Sequence, residues 1–236
     1  MDASGLADAL RDVAQTLRHH RDLGLREVAM TASPAPPVDP AKALAEQEAA
    51  RQGCTLCKLC HSRTNVAFGS GSPRARLMVV GEGPGEEEDK QGKPFVGRAG
   101  QLLTKMLESV GFDRERDAYI ANVVKCGPER NRNPEPDEVA ACNPFLLAQI
   151  DTIQPAVILA LGNFAAQTLL GTREGITKLR GRVYEYRNRV LVPTFHPAFL
   201  LRNPGPEFRR MAWDDLKLAR REYDRLNRTP HPNPLP

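Results

Sequence analysis

No stretch of this chain approaches the roughly 20 consecutive apolar residues that a membrane-spanning helix needs. The N-terminal MDASGLADALRDVAQTLRHH opens with an acid and has no apolar signal core, so the expectation is a soluble protein that stays in the cytoplasm. Trp is almost absent, at one residue in 236, and no internal repeat is visible. The charge balance is only mildly basic, with a formal net charge of +4, which on its own says little about a polyanionic partner. Cysteine is scarce as well, at five residues, and in a cytosolic chain this number favours metal binding over disulfides.

The length suits one α/β domain with extensions. Leu6, Leu10, Val13 and Leu17 recur at helical spacing, and Thr31–Pro40 (TASPAPPVDP) reads as a proline-rich linker, so residues 1–40 form an N-terminal extension. The domain is expected over 41–226, starting with a polar helix from Ala41 to Gln52, and 227–236 reads as a disordered tail. Strands are expected at Arg76–Val80, Tyr119–Val124 and Val157–Leu161, with a hairpin joining Tyr184–Tyr186 to Val190–Val192. Helices are expected at Gly97–Val110, at Asp137–Ile153, from an Asn163 cap to Gly171, and over the last stretch to Leu226. Strand–helix alternation argues for a parallel sheet covered on both faces, with a site beyond the carboxyl ends of the strands.

Cys54 and Cys57 form a CxxC, and Cys126 and Cys142 lie far downstream. A short CxxC loop aims two thiolates at one centre. The second pair completes a four-sulfur site only if the chain folds back on itself. Four thiolates suit zinc or an iron–sulfur cluster. Cys60 reads as a surplus thiol.

Three motifs follow strands. In GEGPGEEEDKQGKPFVGRAG, from Gly81 to Gly100, the glycines at 81, 83 and 85 let backbone amides approach a ligand. Glu82 on that turn is placed to handle a proton or a water, and Phe95 to stack on a flat ligand. In YIANVVKC, Asn122 interrupts an apolar strand, where an amide is costly unless bonded. Its donor and acceptor suit a base edge. In FHPAFLLRNP, His196 is placed to donate to a developing anion. Leu200 and Leu201, on a proline-bounded loop beside Arg202, suggest an apolar wedge next to a phosphate anchor. Taken singly, a tight turn, a satisfied core asparagine and a structural histidine remain alternatives. Arg202, Arg209, Arg210, Lys217, Arg220, Arg221, Arg225 and Arg228 crowd the C-terminal stretch, either toward a polyanion or as a solvated helix face.

In their order, CTLC, RTNVAFGSG, GEGPGEEEDKQGKPFVGRAG, NVVKC, NRNPEPDEVAAC and FHPAFLLRNP resemble the family 4 uracil-DNA glycosylases, over roughly Gly53 to Leu218. This is the iron–sulfur branch of the uracil glycosylase superfamily. The resemblance implies a three-layer α/β/α fold around a central four-stranded parallel sheet. It implies a 4Fe–4S cluster on Cys54, Cys57, Cys126 and Cys142, with a structural role. The implied substrate is uracil-containing DNA, single- or double-stranded, bound by a monomer. Phe95 would stack on the flipped base, Asn122 would read its edge, amides near Gly83 would hold a carbonyl, and His196 would face O2. Glu82 would position the attacking water, and Glu88 would bond within the pocket, with Asn131. The best-known branch has an Asp where this turn carries Gly83, and a thymine-excluding Tyr where it carries Gly85. Two other readings remain. A relative that crosslinks to uracil-DNA uses a histidine on an inserted loop, whereas GPERNRNPEP after Cys126 contains none. A non-catalytic, metal-stabilised DNA-binding module would not need Glu82, Asn122 and His196 together.

Overall fold

The computed structural model describes residues 39–129 and 132–228. The expected N-terminal helix, the linker up to Val38, Asn131 and residues 229–236 lie outside the described residues. Helix α1 (Pro40–Ala49) starts where Asp39 Oδ1 accepts from the Ala41 N–H at 3.2 Å, with proline in the first turn, where its missing donor costs nothing. A single 3₁₀ turn (Lys58–His61) follows Cys57.

The sheet is built from β1 (Ser70–Gly71), β2 (Leu77–Gly81), β3 (Ala118–Asn122), β4 (Val157–Leu161), β5 (Tyr184–Tyr186) and β6 (Arg189–Thr194), in the order β1-β3-β2-β4-β6-β5. The four inner strands are parallel, as expected. The sheet is wider than that core, because β1 and β5 add antiparallel at its two edges. The β5–β6 turn explains one of them. Arg187 and Asn188 have φ of 49° and 61°, and a two-residue turn with both φ positive matches the twist of a hairpin. Every residue of β2, β3 and β4 is buried. Since successive side chains point to opposite faces, both faces are covered and the sheet is the middle of three layers.

The covering helices are α2 (Glu86–Gln91), α3 (Arg98–Glu108), α4 (Pro136–Ile153), α5 (Gly162–Leu170), α6 (Ile176–Leu179), α7 (Pro197–Arg202) and α8 (Pro206–Arg228). Helix α3 turns Leu103, Met106 and Leu107 inward at three- and four-residue spacing. Helix α4 opens on a capping box between Glu135 and Glu138. Asn163 does not cap α5. Leu161 is the N-cap, and the Asn163 Oδ1 accepts from the Ile176 N–H at 2.6 Å, tying α5 to α6. The stretch after His196 is likewise helix α7 rather than a loop, because Pro197 occupies its first turn and the His196 side chain caps it.

The carboxyl ends of the parallel strands align. Gly81 lies opposite Asn122, and Leu161 opposite Thr194. β2 leads to β3 on one side and lies against β4 on the other, which opens a crevice above its end. The end of β6 is anchored by a buried ion pair. Arg180 Nε and Nη2 donate to the Asp215 carboxylate at 2.9 and 2.8 Å, and Thr194 Oγ1 donates to it at 2.8 Å. The Asp215 side chain is fully enclosed. Removing one partner strands a buried charge, so Arg180→Ala is expected to cost on the order of 3–5 kcal/mol in denaturant unfolding. A loss under about 1 kcal/mol, the range of an exposed pair, would contradict the anchor.

Candidate active site

Beyond the strand ends lies a cavity of about 510 Å³. Glu82, Gly83, Glu88, Phe95, Asn122, His196 and Arg202, all singled out in the sequence, line it together. Asn122 ends β3 and is 1% exposed, yet neither Nδ2 nor Oδ1 has a hydrogen-bond partner. An unpaired buried polar atom costs about 1–3 kcal/mol, so an amide left this way at a cavity wall is prepared for a ligand's donor and acceptor.

His196 has its orientation and proton set by its surroundings. The Ala198 N–H donates to Nδ1 at 3.1 Å. Nδ1 therefore holds a lone pair, and the proton of the neutral ring sits on Nε2, free to donate. Burial, with the Arg202 charge added, lowers its pKa to about 4, so the ring is neutral near pH 7. Gly162 makes room for it, since a Cβ there would stand 2.9 Å from His196 Cβ.

Phe95 is buried, and its ring centroid lies 5.5 Å from that of His196, at an angle of 34°. Its φ of 54° falls in the left-handed region, which bulky residues avoid. Glu88 Oε1 accepts from the Val96 and Gly97 N–H groups, each at 2.8 Å. Glu88 thus holds the loop behind Phe95, a task its sequence position did not reveal. The carboxylate of Glu82, on the turn after β2, makes no hydrogen bond or ion pair with a described residue, and burial raises its pKa above the ordinary carboxylate value.

The wedge expectation changes. Leu200 is 3% exposed, because helical periodicity turns it into the core, and Leu201 is the exposed leucine of α7 at 40%. Arg202, the last residue of α7, is exposed at the cavity edge. Several of the other C-terminal cations pair within α8: Lys217 with Asp214, Arg220 with Asp224, and Arg225 with Glu222. The cavity is also lined by Asn163 and Gln167 of α5 and by Arg132 and Asn133. The sequence signals for these were an amide just after the apolar VILAL strand and the NRNPEPDEVAAC motif, neither of which singled the residues out for the site.

Cys54, Cys57, Cys126 and Cys142 line a second, small pocket, together with Arg51, Leu56, Arg63 and Phe145. Cys60 is not among its lining residues. The Lys125 backbone N–H donates to Cys142 Sγ at 3.3 Å, and Arg63 Nη1 donates to Cys126 Sγ at 3.4 Å. Burial raises the pKa of Cys57 and Cys142, and that of Cys126 to about 11. Among the described residues, no three His, Cys, Asp or Glu side chains converge closely enough to hold a single metal ion.

A cavity at the strand ends, with a stacking ring, an unpaired amide and a neutral histidine, defines a pocket for a flat, polar-edged ring. Residues 68–217 match the family model of the uracil DNA glycosylase superfamily. The chain is 52% identical over 169 residues to the type-4 uracil-DNA glycosylase of Thermotoga maritima, covering 71% of this chain and 88% of the relative. It is 44% identical over 176 residues to that of Sulfurisphaera tokodaii (71% and 79% covered) and 46% over 160 residues to that of Saccharolobus solfataricus (64% and 74%). The chain therefore belongs to the type-4 uracil-DNA glycosylases.

The histidine geometry is open to a direct check. At pH 7, the ¹⁵N shifts of His196 should report a neutral ring protonated on Nε2, charging only as pH falls toward about 4. Because the folded pKa is depressed, the unfolded chain binds this proton first. Stability from this group is full above about 6.5, the unfolded value, and declines as pH falls through the folded one. A titration midpoint near 6.5 would contradict the buried neutral ring.

Proposed function

We propose that this protein is a monofunctional DNA-repair glycosylase that flips uracil out of DNA and hydrolyses its N-glycosidic bond, leaving an abasic site. The observation that carries the reading is the unpaired amide of Asn122. Its Nδ2 can donate to uracil O4 while its Oδ1 accepts from N3–H, and both contacts repay groups already desolvated. Phe95 stacks on the flipped ring, and amides near Gly83 hold a carbonyl. Extracting a base from the stack costs a few kcal/mol, which these contacts offset.

In the reaction, the C1′–N1 bond breaks and its electron pair stays with the uracil as an anion with charge on O2. His196 is neutral, so it stabilises that charge by an Nε2–H hydrogen bond rather than by giving up a proton. A water adds to the electron-poor C1′ and loses a proton. Glu82, raised above the usual carboxylate range, is the better base for it and has no other partner to leave. Arg202 at the cavity edge contacts a phosphate, with Leu201 beside it. No metal or nucleotide enters these steps. The substrate is single- or double-stranded DNA, the protein acts as a monomer, and it works in the cytoplasm. Among the described residues no helix is long and apolar enough to cross a membrane.

The four pocket-lining cysteines are the residues that would hold a 4Fe–4S cluster. A tetrahedral zinc draws its sulfurs to about 3.8 Å from one another, given bonds of about 2.3 Å. A cluster takes one thiolate per iron and spreads them. Four thiols lining one shared pocket supply the one-thiolate-per-iron donor set that such a cluster takes. When bound, the cluster would serve as a staple between distant parts of the chain.

Glu82→Ala, Asn122→Ala and His196→Ala should each lower excision from a uracil oligonucleotide by about 10²–10³-fold, with melting temperatures near wild type. Wild-type rates in all three would sink the assignment, and absence of alkali-sensitive cleavage by the wild type would favour a binding module. Protein purified without oxygen should be coloured and contain iron and sulfide, and Cys142→Ala should lose the colour. Colourless protein containing zinc would overturn the cluster.

A further inference from the structure

Phe95 is held from two sides by side chains of opposite charge, and one of them stands outside the cavity. The peptide plane after Phe95 is fixed by Glu88, which accepts from the Val96 and Gly97 N–H groups. The plane before it is fixed by Arg114, whose Nη2 donates to the Pro94 carbonyl at 2.8 Å. Arg114 Nη1 also donates to Thr104 Oγ1 at 3.1 Å and to the Gly100 carbonyl at 3.4 Å, which ties the loop to helix α3. The Arg114 side chain is 15% exposed and is not part of the cavity wall. Rotation between those two planes is what φ and ψ of Phe95 measure. A bulky residue left to itself leaves the left-handed region, and the Phe95 φ of 54° therefore needs both planes pinned.

We propose that Arg114 is a positioning residue for catalysis: its hydrogen bond to the Pro94 carbonyl, opposed by Glu88, locks Phe95 in the left-handed conformation that sets its ring against the base. Without it, residues 94–97 relax and the ring moves away from its place beside His196. A guanidinium suits the task because its planar fork reaches several acceptors at once, whereas an ammonium is a single point. The inference rests on the uracil-excision reading for its kinetic consequence and not for its geometry.

The test compares wild type, Arg114→Met, Arg114→Lys, Phe95→Ala and the Phe95→Ala/Arg114→Met pair on a uracil oligonucleotide, with melting temperatures measured beside the rates. Arg114→Met should lose kcat/KM on the order of tenfold to a hundredfold, chiefly in kcat, because a misplaced ring disorients the base. Arg114→Lys should fall between it and wild type. In the Phe95→Ala background the Arg114 change should do nothing further, since the ring it positions is gone. Undiminished kcat/KM in Arg114→Met, or the same loss with and without the Phe95 ring, overturns the proposal. If Arg114→Met melts too low to assay, Arg114→Lys with and without Phe95→Ala answers the same question. Amide hydrogen exchange at Val96 and Gly97 tests the clamp without substrate. It should quicken in Arg114→Met and Arg114→Lys, and unchanged exchange overturns the clamp even if wild type proves inactive on uracil-DNA.

Discussion

Gly81 has no Cβ, and the cavity depends on the space this leaves. It ends β2 directly opposite Asn122 on β3. A Cβ at that point would lie 2.6 Å from Phe95 Cζ and would also overlap Asn122 Oδ1. Strand pairing, the Asn122 amide and the Phe95 ring therefore meet around one missing atom. Gly100 plays a related part on the opposite side, where a Cβ would run into the Phe95 carbonyl.

Around that space, ordinary rules of stability are suspended for function. Among the described residues the amide of Asn122 and the desolvated carboxylate of Glu82 have no partner, and the ring of His196 is held neutral. Each of these states costs free energy in the empty protein. Under the proposed reaction these are the states that a departing anion and an attacking water require, because groups fixed in advance need no reorganisation. The strained backbone of Phe95 belongs to the same account. Support comes from partly or fully buried charged groups: the Arg180–Asp215 pair beneath β6, and Arg114 and Glu88, which each bond the backbone of the Phe95 loop.

The cysteine pocket is joined to the active site by one residue, Lys125. The Lys125 N–H donates to Cys142 Sγ, while its buried Nζ donates to the Asn122 carbonyl at 2.8 Å and to Gln149 Oε1 at 2.5 Å. The stretch from the end of β3 thus carries the Asn122 amide, a buried ammonium and Cys126 within five residues. Helix α4 brings Cys142 to the same place. A cluster bound by these cysteines would staple the backbone from which Asn122 projects.

Much of this was legible in the chain because local chemistry is local. Short apolar runs such as VILAL specify buried strands, and RNR between two apolar segments specifies a hairpin. Glu82, Asn122 and His196 stood out because a polar residue directly after an apolar strand is anomalous. Leu200 and Leu201 were indistinguishable in sequence, and only the phase of α7 buried one and exposed the other. Arg114, in the polar stretch DRERD, carried no signal, since its meaning lies in carbonyls 14 and 20 residues away. The sequence by itself determined the parallel core strands, most of the helices, the candidate site residues and the family, all of which depend on side-chain identity and near neighbours. The tertiary structure alone decided which amide stays unpaired, which nitrogen of His196 carries the proton and which charged groups bond the loop around Phe95, because desolvation and hydrogen-bond geometry exist only once distant segments close around one cavity.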